Sequence, residues 1–214
     1  MKPHEVLQQC QRYDERLRLF GPTTKALGWR DRWQQELRFA VLAEIGDLRG
    51  ASVLDVGCGF GDLYRFLVGR DLTIQYTGVD INPNLLTIAR QRNPQCVFEE
   101  RNLLQNRYEA GQFDYVFGSG LFNAALENNE SFAREMLVEM FRISRYGVSV
   151  NLMSTYVDYQ EDHLHYYKPE EYFQLGRSMT KYVVLRHDYP LYEFTLYFLK
   201  NPFSPVSDTG EVAP

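Results

Sequence analysis

Apolar residues recur at two spacings along the chain, and the change from one to the other divides it. Near the N-terminus they recur every three to four residues, which is typical of one buried helix face. This spacing predicts helices over about residues 4–20 and 30–46, with Trp33 on the buried face of the second. From residue 52 onward, short apolar runs alternate with segments of helical spacing. Such an alternation predicts a mostly parallel sheet with helices on both faces.

The short apolar runs predict seven strands. These lie at about 52–57, 74–81, 96–100, 113–117, 147–153, 181–187 and 193–199, with helices at about 62–68, 83–92 and 129–144 and from 169. The link Asp188-Tyr189-Pro190 is too short for a crossover, so the last two strands should be antiparallel. We therefore expect a doubly wound α/β fold: a mostly parallel seven-stranded sheet with an antiparallel last strand and an N-terminal helical addition.

Three parts follow from this pattern. Residues 1–49 are expected to form N-terminal helices that act as a lid or cap, and residues 50–200 the sheet domain. Residues 201–214 contain three prolines and little apolar content, so we expect a disordered tail.

Composition narrows the class of protein. The chain has 214 residues and a net charge of −5, and no basic run suggests a general nucleic-acid binder. No apolar run approaches the roughly 20 residues of a membrane span, and the N-terminus lacks the apolar core of a signal peptide. The three cysteines have no metal or redox spacing, which suits a reducing compartment. We expect a cytoplasmic protein with neither membrane nor nucleic-acid partner, and the oligomeric state stays open.

The first strand of the sheet domain leads into a glycine-rich turn. The run is Val53-Leu54-Asp55-Val56-Gly57-Cys58-Gly59-Phe60-Gly61-Asp62, and the second strand ends at Asp80. Glycines allow a tight turn and a close approach of backbone to ligand, and a carboxylate at a strand end can accept from both hydroxyls of a ribose. A dinucleotide fingerprint requires a third glycine where Asp62 stands. The pattern therefore favours a nucleoside cofactor other than a dinucleotide.

An acid followed by G-x-G-x-G, with a second acid 19 residues after Gly61, resembles motifs I and II of class I S-adenosylmethionine (SAM)-dependent methyltransferases. The resemblance covers about residues 50–200 and implies SAM as cofactor and S-adenosylhomocysteine as product. Asp55 is expected to accept amides of the loop and shape its turn. The expected cofactor-binding residues are Asp55, Gly57, Cys58, Gly59, Gly61, Asp80, Ile81, Asn102, Leu103, Ser119 and Arg38.

Four of these assignments need a further explanation. The family usually has an acid where Asn102 stands, although asparagine can also accept from adenine. Cys58 fits a tight turn better than it fits a nucleophile. Ser119 follows the fourth strand, where the chain would pass under the sulfonium. Arg38 either pairs with the methionine carboxylate or is a solvated helix charge, and both interpretations stay open.

The acceptor is less well defined. The segment after the fourth strand, 118–123, lacks the Asn/Asp-Pro-Pro-aromatic run of amide and adenine-N6 methyltransferases. Asn123 either orients a substrate or caps a turn. Residues 155–167 are long, aromatic and acidic, so they form either a substrate lid with His163 or His165 as base, or an ordinary surface loop. The aromatic residues beside acids would also suit a cationic substrate. No spacing supports a metal site at Glu161, His163 and His165, and no metal is expected.

We therefore expect a SAM-dependent methyltransferase that transfers a methyl group to a small molecule by in-line displacement. Two alternatives are a non-catalytic SAM-binding module and a nucleotide-dependent oxidoreductase on a related sheet. Asp62 and the terminal hairpin count against the oxidoreductase. A module would have the same cofactor loop, so the sequence does not exclude it.

Overall fold

A computed structural model describes residues 2–202 of the chain. The predicted tail therefore lies, from residue 203 onward, outside the described residues. The helices are α1 (Pro3–Phe20), α2 (Arg32–Ala43), α3 (Asp62–Val68), α4 (Pro83–Arg92), α5 (Asn129–Ile143) and α6 (Pro169–Met179). The strands are β1 (Ser52–Val56), β2 (Gln75–Asp80), β3 (Val97–Glu100), β4 (Phe113–Gly118), β5 (Ser144–Met153), β6 (Tyr182–Arg186) and β7 (Glu193–Leu199).

The seven strands form one sheet in the order β3-β2-β1-β4-β5-β7-β6. Strands β1 to β5 pair in parallel, while β7 runs antiparallel to both β5 and β6. The predicted fold class is confirmed. The strand order reverses between β1 and β4, and ligands of open α/β sheets bind at such a switch point, beyond the carboxyl ends of the strands.

Alternate side chains of each strand point to opposite faces of the sheet. Both faces carry apolar side chains, and helices cover both. On one face, Leu54 and Val116 pack with α5 and α6. On the other, Val53 and Phe117 pack with α2, α3 and α4. The apolar spacing of residues 129–144 predicts a buried face on α5, and its members Phe132, Met136, Met140 and Ile143 are all buried. Strand β5 begins at Ser144, three residues earlier than the apolar run suggests, because α5 passes directly into it.

The two N-terminal helices form where the spacing predicts them, and Val41 of α2 is buried, but the predicted burial of Trp33 is wrong. Trp33 is 59% exposed. The buried side chains of α2 include Gln35, Arg38, Phe39 and Leu42 instead. Helical periodicity places the apolar face correctly only when apolar residues mark it, and here a glutamine and an arginine occupy it.

Helix α1 lies across the carboxyl edge of the sheet. At one point Asn82, after β2, donates to the Cys10 carbonyl and to Asp14. At the N-terminal end of the helix, Glu5 accepts the backbone amide of Glu127, which follows β4. Helix α1 therefore connects the loops beyond β2 and β4 and covers the space between them. Within residues 2–202, no helix combines the length and apolar character that crossing a membrane requires.

Candidate active site

The glycine loop after β1 turns through three residues with positive φ. Gly57, Gly59 and Gly61 have φ of 75°, 53° and 73°, a region that side chains with a Cβ rarely adopt. The amides of Gly57 and Cys58 both donate to the Val79 carbonyl, at 2.8 and 3.0 Å. The loop is therefore fixed to the end of β2 before any ligand binds.

Asp80, the last residue of β2, holds the same loop from the side. One carboxylate oxygen accepts the Gly59 amide at 3.0 Å and the other accepts the Asn82 amide at 2.9 Å. Burial raises the pKa of Asp80, and the hydrogen bonds from the Asn82 and Gly59 amides oppose that rise. Each carboxylate oxygen retains a lone pair for a further donor.

Asp55 lies inside β1 and has a different partner from the one the sequence suggests. The loop amide of Gly59 goes to Asp80, while Asp55 accepts from the Tyr76 hydroxyl at 2.6 Å. Only 3% of Asp55 is exposed. Burial raises the pKa of Asp55 to about 7, and the Tyr76 hydrogen bond limits the rise. The Asp55 carboxyl therefore ionises near neutral pH.

A cavity that is open at its mouth lies over the carboxyl ends of β1, β2 and β4; we call it the strand-end cavity. Nine of the eleven expected cofactor-binding residues line it: Asp55, Gly57, Cys58, Gly59, Asp80, Ile81, Asn102, Leu103 and Ser119. Burial raises the pKa of the Cys58 thiol well above its ordinary value, so this thiol is not a thiolate nucleophile at neutral pH. Asn102 Oδ1 accepts the Leu104 amide at 3.3 Å.

The remaining two expected residues, Gly61 and Arg38, are not among those that line the strand-end cavity. Gly61 caps α3, and a Cβ there would lie 2.8 Å from Asn93 Nδ2 and 2.9 Å from Phe98 Cζ. Its glycine is thus required by packing. Arg38 is buried and forms an ion pair with Glu193, with Nη2 2.5 Å from Oε1.

A second cavity, which we call the outer cavity, adjoins the first. The two share wall residues from the N-terminal segment and from the loop after β4: Tyr13, Leu27, Trp29, Gly120 and Ala124. Trp29 and Gly120 touch closely, since a Cβ on Gly120 would lie 2.5 Å from Trp29 Cη2. We call this contact the junction of the cavities.

Three buried side-chain atoms of residues 2–202 have no hydrogen-bond partner: Arg38 Nη1, Ser119 Oγ and Asn123 Oδ1. All three belong to residues that line the two cavities, with Ser119 in the strand-end cavity and the other two in the outer cavity. Buried polar groups are nearly always paired in folded proteins. Their concentration beside the junction makes these atoms candidates for hydrogen bonds to a ligand.

The two candidate bases occupy different surroundings. His163 lines the outer cavity, and its Nδ1 lies 3.4 Å from Glu161 Oε2. His165 lies outside both cavities, where Nε2 is 3.3 Å from Glu130 Oε1 and the ring packs against Tyr167. In the described part of the chain, no three His, Cys, Asp or Glu side chains gather as a metal site would require.

Sequence reasoning misses several residues that line the strand-end cavity, among them Gln9, Cys10 and Leu121. Cys10 stands three residues before Tyr13 on the face of α1 that covers the sheet, and its thiol donates to the Ile81 carbonyl at 3.4 Å. Helical spacing from Tyr13 is the signal that could have identified Cys10. The position of Leu121 depends on the path of the loop after β4, which has no local signature.

One reversed strand, β7, next to the edge of an otherwise parallel sheet, together with a glycine loop and an acid at its switch point, defines a nucleoside-binding α/β protein of the methyltransferase class. Comparison with known proteins supports the same class. Residues 53–147 match the family model described as a methyltransferase domain. A Mycobacterium tuberculosis protein, provisionally named a methyltransferase, is 36% identical over 160 residues, which is 70% of this chain and 93% of the relative.

Two further similarities are more distant. Trans-aconitate 2-methyltransferase of Afipia carboxidovorans is 30% identical over 94 residues, which is 44% of this chain and 36% of that enzyme. Magnesium protoporphyrin IX methyltransferase of Synechocystis, solved with bound S-adenosylhomocysteine, has 15% identity and a TM-score of 0.61, covering 78% of this chain and 83% of that one. The chain belongs to the class I SAM-dependent methyltransferases, and SAM is its cofactor.

Proposed function

We propose that this methyltransferase transfers a methyl group to a small molecule held in the outer cavity, by in-line displacement at the junction with the strand-end cavity. The observation that carries the proposal is the placement of Ser119 Oγ, Asn123 Oδ1 and Arg38 Nη1, all buried and unpartnered within the described chain, around that junction. The family resemblance accounts for the cofactor. It does not account for a second cavity with unpaired polar atoms.

SAM fits the strand-end cavity on the chemistry of its lining. Asp80 has lone pairs for the ribose hydroxyls, and the apolar side chains of Ile81 and Leu103 suit an adenine ring. The positive φ angles of Gly57 and Gly59 shape the loop so that its backbone would approach the methionine part closely. When bound, SAM supplies an electrophilic methyl group whose carbon–sulfur electron pair returns to sulfur, giving neutral S-adenosylhomocysteine.

Around that chemistry, the chain's own residues orient the acceptor and exclude water. Asn123 lines the outer cavity, and its buried, unpartnered Oδ1 would accept a hydrogen bond from the acceptor molecule and fix its direction. Where the nucleophile is a hydroxyl, or an amine that arrives as its ammonium ion, a proton must leave, and His163 is the candidate base because it lines the same cavity. Helix α1 covers the carboxyl edge and would serve as the cap.

A small acceptor is supported by the shape of the site. The outer cavity is a concave pocket, and concave pockets are the usual sites of small ligands. Two of the compared proteins are named for small-molecule substrates, trans-aconitate and magnesium protoporphyrin IX.

The proposal is tested by following the methyl group. The protein is incubated with methyl-labelled SAM and a cell extract, and the label is measured separately in small molecules, protein and nucleic acid. We expect label in the small-molecule fraction, lost in Asp80→Ala and retained in Asp188→Ala, an exposed acid bound to Arg186. Label confined to protein or nucleic acid would overturn the proposal, as would no labelling by protein that binds S-adenosylhomocysteine.

A further inference from the structure

The outer cavity is basic although the chain as a whole carries a net charge of −5. Its charged lining consists of four arginines, two glutamates and one histidine: Arg12, Arg16, Arg30, Arg38, Glu161, Glu193 and His163. Glu193 is paired with Arg38, and Glu161 lies beside His163. Within residues 2–202, neither Arg12 nor Arg30 has a carboxylate within ion-pair distance. The cavity therefore has an excess of positive charge.

Arg16 contributes less to that excess than its charge suggests. Its Nε donates to the Ala26 carbonyl at 3.2 Å and its Nη2 to the Lys25 carbonyl at 2.5 Å. These bonds fix the segment that leads to Trp29. Arg16 is accordingly a structural residue of the cavity wall, while Arg12 and Arg30 remain available to a ligand.

Arg38 is the one deeply buried cation of the cavity, with 7% of its surface exposed. Nε and Nη2 both donate to Glu193 Oε1, at 2.7 and 2.5 Å, and the guanidinium lies 4.4 Å from the centroid of the Trp29 ring. Nη1 has no partner. A buried ion pair is weak evidence for stability, because desolvation offsets the attraction, and a donor left unpaired adds to the cost. A ligand oxygen at Nη1 would remove that cost.

A buried network fixes Arg38 relative to the junction. Glu193 also accepts from Asn151 Nδ2, and Asn151 Oδ1 accepts the Gly120 amide at 3.0 Å. Asn151 and Glu193 are completely buried. The path from Arg38 to Gly120 thus consists of hydrogen bonds between residues of α2, β7, β5 and the loop after β4. A group bound to Arg38 would be held at a fixed position from the site of transfer.

From this arrangement we propose that the outer cavity binds an acceptor that bears a carboxylate, held by Arg38 Nη1 with Arg12 and Arg30 contributing at longer range. The inference rests on the proposed function, because it specifies the acceptor for that site. This inference reverses the sequence-based expectation of a cationic substrate. Asp158 and Asp162, the aspartates of the aromatic segment 155–167, are exposed and do not line the outer cavity. The aromatic rings at the cavity, Tyr159 and Tyr192, lie 6.3 Å apart and suit a flat apolar body.

The chain offers its own reporter for the test. It contains two tryptophans, and Trp33 is largely exposed, so Trp33→Phe leaves Trp29 at the junction as the single emitter. Three probes of nearly equal shape carry negative, zero and positive charge: benzoate, benzamide and benzylamine. Binding of S-adenosylhomocysteine to the Trp33→Phe protein is first measured by calorimetry. Each probe is then titrated into this protein saturated with S-adenosylhomocysteine. We expect benzoate to bind at least about tenfold more tightly than either of the other probes.

Two variants locate the effect. Arg38→Lys should abolish most of the preference for benzoate, while Arg32→Gln, an exposed arginine of the same helix, should retain it. If circular dichroism shows that Arg38→Lys is unfolded, the double variant Arg12→Gln/Arg30→Gln replaces it, with an expected loss of at least about threefold in benzoate affinity.

Several results would overturn the inference. These are equal or tighter binding of benzamide or benzylamine, no saturable response to any probe, full benzoate affinity in a folded Arg38→Lys protein, or full affinity in the double variant that replaces it. Failure of S-adenosylhomocysteine to bind, or label that goes to protein or nucleic acid, would instead count against the proposed function. The two failures are therefore distinguishable.

Discussion

Asp55→Asn should change how stability depends on pH. The carboxyl of Asp55 is 3% exposed and is near the carboxylates of Asp80 and Asp62, and its pKa is raised from 3.8 to about 7. Between these values the folded protein keeps a proton that the unfolded chain has released. The wild type is consequently stabilised below pH 4, and this contribution is lost as the pH rises through 7. Asparagine keeps an acceptor for the Tyr76 hydroxyl and does not titrate.

The magnitude follows from the two pKa values. A difference of about three pKa units, at about 1.4 kcal/mol per unit, makes the ionised carboxyl cost about 4 kcal/mol, of which about 3 kcal/mol develops between pH 5 and pH 8. The free energy of unfolding of Asp55→Asn, minus that of the wild type, should rise by this amount across that range. The unpaired amide nitrogen of asparagine adds a penalty that is the same at every pH, so only the slope is diagnostic.

Denaturant unfolding at pH 5, 6, 7 and 8 measures the difference, with Tyr76→Phe as the matched variant. Tyr76 donates to Asp55, and this hydrogen bond lowers the pKa of Asp55. Its removal should raise that pKa further and move the loss of stability to higher pH, whereas Asp55→Asn should remove the loss altogether. A free-energy difference that stays constant from pH 5 to pH 8 would refute the reasoning.

Three further changes test the loop, the junction and the base. Gly61→Ala combines a positive φ of 73° with a Cβ 2.8 Å from Asn93, so it should destabilise the fold by roughly 2–5 kcal/mol in denaturant unfolding; a loss below about 1 kcal/mol would show that the loop relaxes. Gly120→Ala should displace Trp29, which lies 2.5 Å from the new Cβ, and shift its emission in Trp33→Phe protein; an unchanged spectrum would contradict the contact. With a hydroxyl acceptor, His163→Gln should lower kcat by roughly 10²–10⁴-fold and His165→Gln should have little effect, because only His163 lines the outer cavity; equal rates in both variants would remove His163 as the base.

The cofactor half of the site could be predicted from sequence because its determinants are local. The loop 57–61 and Asp80 lie within 24 residues of each other, and each glycine and acid has a chemical meaning at its own position. Parallel pairing of β1 with β2 then brings the two segments together, with Asp55 opposite Gly78. A pattern of strands, turns and spacing is sufficient to predict such a site.

The partners of individual polar side chains could not be predicted in the same way. Arg38 carries no mark that distinguishes a solvated helix charge from a buried one, and its partner Glu193 is 155 residues away. Because Trp33 is apolar, it was expected to be buried. It is exposed instead, and the charged Arg38 of the same helix is buried. Tertiary contacts decide between these positions, and they become visible only when α2 is placed against β5 and β7.

Relatives can share the cofactor half of the site, which local sequence determines. They can differ in the acceptor half, which tertiary contacts determine. The matched methyltransferase region, 53–147, contains the glycine loop, Asp80 and Ser119. It contains Gly120, Asn123 and Ala124 of the outer cavity, but none of that cavity's charged residues, which come from α1, from the segment before α2, from α2 itself, and from the chain after β5. A relative that matches only this region therefore carries information about the cofactor and little about the acceptor. Acceptor choice in this protein should depend on the outer-cavity residues of the N-terminal segment and of the range 153–193. Substitution of those that do not also line the strand-end cavity should change the acceptor without loss of S-adenosylhomocysteine binding.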